Sequence, residues 1–368
     1  MFKKFIILTV TLGFIFIPAL VFAETMWAII PSQPKKSGMV KWAWTWGKYM
    51  NKNIHEGSKI TKIDFKYVPG NRGKTGLKQF EREFKTDNSN MIVSTGGAAT
   101  ATLLEDVGGY DFRKYTPIVI HPGNMFVPVH KSYNPNTDKN LQAINGNGGS
   151  EPEHFASGLM VCPYTNDINK FLTCFKEKIT IVRGVSSKER HVMFLNGELT
   201  VGRISANGWL SNKLYKKHKN KIRIWFHHCQ MNFKTGQWGD DPQKEFQGKC
   251  FDDIFEKTHG FKPAGKVYDA YVLTRLWRDG LQKTFFVNKN NENINDLIKI
   301  AESTMQDKSF EKERFKKLGK YPVYIGKDAE LVIQQIYKAL TKESLTIAVR
   351  FVNEGLGYKV SVKEELFK

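Results

Sequence analysis

Apolar residues occupy every second position of Ile63-Asp64-Phe65-Lys66-Tyr67-Val68, and a polar, glycine-rich stretch, residues 69–76, follows at once. Leu77, Phe80 and Phe84 then recur at helical spacing, so the pattern predicts a strand, a turn and an amphipathic helix. A second unit comes directly behind it. The apolar run Met91-Ile92-Val93-Ser94 leads into Thr95-Gly96-Gly97-Ala98 and a helix-compatible segment reaching Glu105. Tandem strand–loop–helix units predict a parallel sheet, because parallel neighbours need a crossover connection. In such sheets ligands sit beyond the carboxyl ends of the strands, where loop amides and helix N-termini converge.

The same alternation extends in both directions. Trp27-Ala28-Ile29-Ile30 predicts a short buried strand, and residues 31–38 a loop opening a helix that carries Trp42, Trp46, Tyr49 and Met50 on one face. That aromatic stripe is read as helix-to-sheet packing rather than ligand contact. Strands are predicted at 118–120, 125–129, 141–144, 179–182, 198–205 and 221–226, with helices at 186–196 and 206–217. A glycine-rich loop, residues 145–150, precedes another helix. Residues 227–265 read as a long excursion, and helices are expected at 267–279, 294–305 and 328–351, with a strand at 283–287. The fold class is therefore α/β in two lobes: residues 24–122 with 228–368 in lobe one, and 123–227 in lobe two. The helical C-terminal part packs back on lobe one because nothing in it supplies a third core.

Residues 1–23 combine a basic start at Lys3 and Lys4, an apolar run and Val21-Phe22-Ala23 before Glu24. This pattern predicts a signal peptide cleaved after Ala23, hence export to the periplasm. Removing 23 of 368 residues leaves 345, and removing two lysines from 56 basic residues leaves 54 against 36 acidic, a net charge of +18. Such a chain attracts anions. Its basic residues are scattered and carry no nucleic-acid-binding signature, so nucleic acid is not the expected partner. Cys162, Cys174, Cys229 and Cys250 are disulfide candidates in an oxidising compartment. Four thiols allow three pairings, of which local closure is preferred; burial as small hydrophobes is the alternative.

The loops at 31–38, 68–75, 95–98 and 146–150 share one chemistry: Gly and Ser/Thr let backbone N–H groups turn inward ahead of a helix, a cradle for carboxylate or phosphate. None is a Walker loop or GxGxxG. Together they suggest an anion held in a cleft between domains. The segments Val68-Pro69-Gly70-Asn71-Arg72-Gly73-Lys74-Thr75-Gly76, Ser94-Thr95-Gly96-Gly97, Tyr110-Asp111, Gly148-Gly149-Ser150 with His154, and residues 194–201, 259–265 and 317–321 follow in order. In this order they resemble the substrate-binding receptors of tripartite tricarboxylate transporters, the Bug family. The resemblance implies a two-lobed type II periplasmic-binding-protein fold with the ligand cleft between lobes. It implies a receptor, expected to be monomeric, that binds a small carboxylate and delivers it to membrane transporter subunits, with no cofactor and no metal.

Carried over by position, the ligand-binding residues implied are Ser32, Gln33, Ser37 and Gly38 in the first loop and Ser94, Thr95, Gly96 and Gly97 in the next. Lobe two contributes Gly149, Ser150, His154, Ser205 and Asn207. Where relatives carry glycines and an Asp, this chain has Lys35-Lys36-Ser37-Gly38-Met39; if those lysines face inward they favour a more anionic ligand. Arg72 and Arg203 are further carboxylate-clamp candidates, ranked below His154. The alternative is an exported metal-binding protein or hydrolase using His227, His228, Cys229, Cys250 and His259, with Asp240 and Asp241 nearby. Their spacing matches no HExxH or paired CxxC pattern, and no GxSxG elbow is present. The reading is accordingly a binding protein, not an enzyme.

Overall fold

The computed structural model describes residues 24–34, 37–105, 110–134, 141–144, 151–182, 187–211 and 217–367. The predicted signal peptide, Lys35, Lys36, Gly149 and Ser150 lie outside the described residues. The chain opens β1 (Glu24–Ile30), α1 (Gly38–Lys52), β2 (Ile60–Tyr67), α2 (Lys74–Gln79), β3 (Asn90–Thr95), α3 (Gly96–Leu104) and β4 (Tyr115–His121). β2 and β3 both pair with β1 in parallel, as the crossover helices require. The helix after the Thr95-Gly96-Gly97 turn begins at Gly96 itself, because the Thr95 hydroxyl accepts from the Ala98 amide and caps it.

Residues 122–124 carry the chain into a second sheet. There β5 (Met125–His130) is the central strand of the order β8-β5-β9, and β6 (Leu141–Ile144) pairs in parallel with β7 (Ile179–Val182). Helices α4 (Glu151–Val161), α5 (Ile168–Lys178), α6 (Ser187–Asn196) and α7 (Ala206–Ser211) belong to this lobe, with β8 (Ile204–Ser205) and β9 (Ile222–His227). The strand expected at 198–205 is reduced to β8 and a single bridge between Val129 and Val201. The expected excursion at 227–265 is ordered: a hairpin of β10 (Gln230–Asn232) and β11 (Gln237–Gly239) leads to α8 (Phe251–His259). Helix α8 packs on β9 and α4. Cys229–Cys250 joins the end of β9 to the start of α8, and Cys162–Cys174 joins α4 to α5.

Helix α9 (Lys266–Gly280) follows, and β12 (Lys283–Asn288) then re-enters the first sheet between β3 and β4, antiparallel to both. The segment 228–282 thus adds no strand to the first sheet. Helices α10 (Ile294–Gln306) and α11 (Lys308–Leu318), strand β13 (Tyr324–Ile325), and helices α12 (Lys327–Lys338) and α13 (Lys342–Arg350) complete the chain, and the sheet reads β13-β4-β12-β3-β1-β2. Two caps account for what periodicity missed. Asp307 accepts from the Ser309 and Phe310 amides and starts α11, and Thr341 accepts from Ser344 and divides the predicted 328–351 helix in two.

The aromatic stripe of α1 packs as expected. Trp42 and Trp46 are fully buried, with ring centroids 4.6 Å from Phe285 and 4.7 Å from Phe310. Helix α9 touches α3 in the first lobe and α4 in the second, so one apolar cluster joins both lobes on the side of α9. Among the described residues no helix is long and apolar enough to cross a membrane.

Candidate functional site

A cleft of about 1200 Å³ lies between the lobes. Two helix N-termini open into it. At α1, the Ser37 hydroxyl accepts from the Val40 amide, and Ser37, Gly38 and Met39 line the wall. At α3, the lining residues are Thr95 and Gly97, while the Gly96 amide donates to the Gln282 carbonyl 3.2 Å away. Gly96 is required there by contact: a Cβ would lie 2.2 Å from the Arg278 carbonyl oxygen. Both helices present positive dipole ends to the same space.

The charged side chains around the cleft are mostly cationic. Lys41 and Lys48 come from α1, Arg278 from α9, Lys283 from β12, Lys317 from α11, and Arg190 and Arg203 from lobe two; Glu313 is the one carboxylate in this lining. Glu313 is held down to about 2, chiefly by its hydrogen bond from Lys317 and also by Tyr49 and Lys48. Burial pushes His191 down to about 4, with Arg190 and Arg203 adding to the effect, so this cleft histidine is neutral at pH 7. Behind the wall, Arg278 pairs with Glu153 at 2.8 Å, both side chains almost fully buried. Burial alone would raise the Glu153 carboxyl, but Arg278 and then Arg203 outweigh it and the net shift is downward.

Of the residues implied by resemblance, Ser37, Gly38, Thr95, Gly97 and Ser205 meet in this cleft. Ser32 is one step back, its hydroxyl donating to Ser37 at 3.2 Å. Gln33 is exposed and is not among the cleft residues. Ser94 and Gly96 are buried beneath the α3 N-terminus. His154 is buried on α4 and lines a small chamber beside the cleft together with Glu153, Arg190 and Arg203. Asn207 belongs to α7, and its side chain is outside the described residues. Arg203 does reach the cleft.

Sequence reasoning passed over Lys41, Trp44, Lys48, Arg190, Arg278, Gln282, Lys283 and Lys317. The available signals were cations in segments that otherwise read as buried: Lys283 opens the strand Lys-Thr-Phe-Phe-Val, and Arg278 sits in an apolar helix. The residues of the metal alternative have partners within the chain. The sulfurs of Cys229 and Cys250 are bonded to each other, His227 pairs with Asp240, His228 with Asp279, and His259 with the Met160 carbonyl.

Strand order, crossovers and cleft define the α/β, two-lobed type II periplasmic-binding-protein fold. Within that class the chain resembles binding proteins of the tripartite tricarboxylate type. It is similar to the periplasmic binding protein BugD, with 13% identity over 90% of this chain and 98% of that one and a TM-score of 0.55. It is also similar to MatC from Rhodopseudomonas palustris with bound malate (11% identity, 87% and 99% coverage, TM-score 0.54). A third similar structure is Rpa4515 of R. palustris with adipate (13% identity, 88% and 97% coverage, TM-score 0.53). No protein-family model and no curated protein matches the chain.

Proposed function

We propose that the protein is an extracytoplasmic receptor of the Bug type, which captures a small organic acid between its lobes and delivers it to a tripartite tricarboxylate-type membrane transporter. The observation that carries this reading is the convergence of two helix N-termini and a cationic lining on one interlobe cleft. Backbone dipoles and ammonium groups together stabilise an anion. The work of the site is binding and closure: ligand favours the closed state only by the contacts it gains there beyond those of the open state. Ser37, Gly38, Thr95, Gly97 and Ser205 would supply uncharged contacts, with residues 145–150 and His154 contributing from lobe two. Export through cleavage after Ala23, a monomeric state and independence of cofactors complete the proposal. The malate and adipate held by two proteins of the same fold are consistent with it.

A thermal-shift screen of residues 24–368 against mono-, di- and tricarboxylates, aromatic acids and acidic amino acids tests the reading. Ligand at 100 times its Kd adds about 2.7 kcal/mol of stability. Stabilisation by one class of acid, abolished by Gly97→Val, is expected. Silence across the panel, with a loss of stability in EDTA, would replace the receptor by a metal protein.

A further inference from the structure

Lys283 places a buried amine at the cleft. It is 7% exposed and lines the cleft. Its Nζ donates to the Gln282 carbonyl at 2.8 Å and to the Gln282 side-chain oxygen at 3.0 Å. Both partners are neutral, and among the described residues no carboxylate pairs with it. In the same lining Arg278 is matched by Glu153, and Lys48 and Lys317 are matched by Glu313. A buried charge left unmatched is costly.

The surroundings hold Lys283 where it is. Gln282 is anchored by its side-chain donation to the Met125 sulfur at 3.4 Å, and its carbonyl also accepts from the Gly96 amide. Register places Lys283 opposite Thr95 on β3 and His121 on β4. Thr95, the cap of α3, is therefore the cross-strand neighbour of Lys283, and both residues line the cleft. At the mouth, Lys41 stands near the α1 N-terminus, where no acidic residue occupies the first turn.

The geometry points to Lys283 as the charge-selecting residue of the site: an anionic group of the ligand docks at the α3 N-terminus and supplies a counter-ion that none of the described residues provides. This deepens the receptor reading and rests on it. The ligand class is an acid that is fully ionised at that group; amides and esters of the same shape bind more weakly because they offer no charge to pair with a protonated Lys283. Burial, followed by Arg278, pulls Lys283 down to about 7 in the empty protein, so an anion that restores its charge draws in a proton. Among the described residues the other charged or titratable groups lining this space include His121 on β4, Arg278 on α9, Lys41 and Lys48 on α1, Glu313 and Lys317 on α11, and Arg190, His191 and Arg203 from lobe two. A variant at Lys283 separates its contribution from theirs.

The test is calorimetric titration at pH 8 with the tightest-binding acid among succinate, malate, adipate, citrate and benzoate, in two buffers of different ionisation enthalpy. Wild type should take up close to one proton per ligand, and its affinity should fall about tenfold between pH 8 and pH 9. Lys283→Met should bind the acid about 10- to 100-fold more weakly and take up no such proton, while Lys283→Arg recovers most of the affinity. Equal affinity and equal proton uptake in wild type and Lys283→Met would overturn the proposal with the receptor reading intact. Absence of binding in wild type across the five acids would overturn both.

Discussion

Lys283→Met should make the ligand-free protein more stable, which is unusual for a substitution at a buried strand position. In the unfolded chain this amine titrates at its ordinary value of 10.5, and in the folded protein burial holds it at about 7. Between those two values the unfolded state binds more protons, so stability rises with pH across that window. Below about pH 7 the full penalty is present, about 5 kcal/mol at roughly 1.4 kcal/mol for each tenfold change in proton affinity. At pH 7 about 4 kcal/mol of it remains, and at pH 9 about 2 kcal/mol. Methionine removes the charge and keeps an unbranched side chain, but loses the two hydrogen bonds to Gln282, a cost of about 1 to 2 kcal/mol. The net gain is therefore about 3 kcal/mol at pH 7, shrinking to less than about 1 kcal/mol at pH 9. Urea unfolding of both proteins at pH 7, 8 and 9 reads this directly from the midpoints. Keeping below pH 10 avoids the buried Tyr110, Tyr271 and Tyr321, whose phenols are raised by burial and whose unfolded forms begin to ionise there. A variant that is less stable than wild type by the same amount at pH 7 and pH 9 would refute the reasoning, because it would mean that Lys283 carries no desolvation penalty.

Gly96→Ala should destabilise the fold by about 1 to 3 kcal/mol, since the new Cβ meets the Arg278 carbonyl oxygen rather than a movable side chain; an unfolding midpoint unchanged from wild type would contradict that close approach. Reducing the disulfides should cost about 3 kcal/mol for each of Cys162–Cys174 and Cys229–Cys250, from separations of 12 and 21 residues in the chain-entropy model. A thermal midpoint insensitive to reductant, with thiols shown to be free, would exclude those bonds as a source of stability. His121 is held well below its ordinary 6.5 by burial, with Arg314 and Lys283 adding to it, and its Nδ1 accepts from the Trp42 indole at 3.1 Å. The unfolded state binds the extra proton, so stability is retained above pH 6.5 and lost as pH falls below it. His121→Asn should flatten that acid limb of the stability profile, and an identical limb in both proteins would assign it to other groups.

Much of the fold was legible because it rests on local rules. Period-two and period-3.6 apolar patterns located β1 to β4 and α1, and tandem strand–loop–helix units required the parallel β2-β1-β3 part of the sheet, though not the antiparallel β12 and β13. The breaks in the pattern came from single side chains. Asp307 and Thr341 each cap a helix, and an apolar periodicity does not register a cap between two segments of the same character. At the site, the loops with glycine and hydroxyl residues were readable because helix N-termini have a recognisable chemistry. Of the cleft cations only Arg203 was read, because a cation in an apolar segment signals an unusual position without saying what faces it.

The amino-acid sequence by itself determined the α/β class, the glycine- and hydroxyl-bearing loops at 31–38 and 95–98 that lead into helices, and an overall positive charge suited to anions. Those features depend on backbone geometry, capping and composition, all set within a few residues. Only the tertiary structure decided that β12 returns from 283 residues along the chain to lie between β3 and β4, and so brings Lys283 beside Thr95. Only it decided that Glu153 matches Arg278 while Lys283 meets, among the described residues, the neutral oxygens of Gln282. Desolvation and charge pairing are properties of three-dimensional surroundings assembled from distant segments, and no spacing along the chain encodes them.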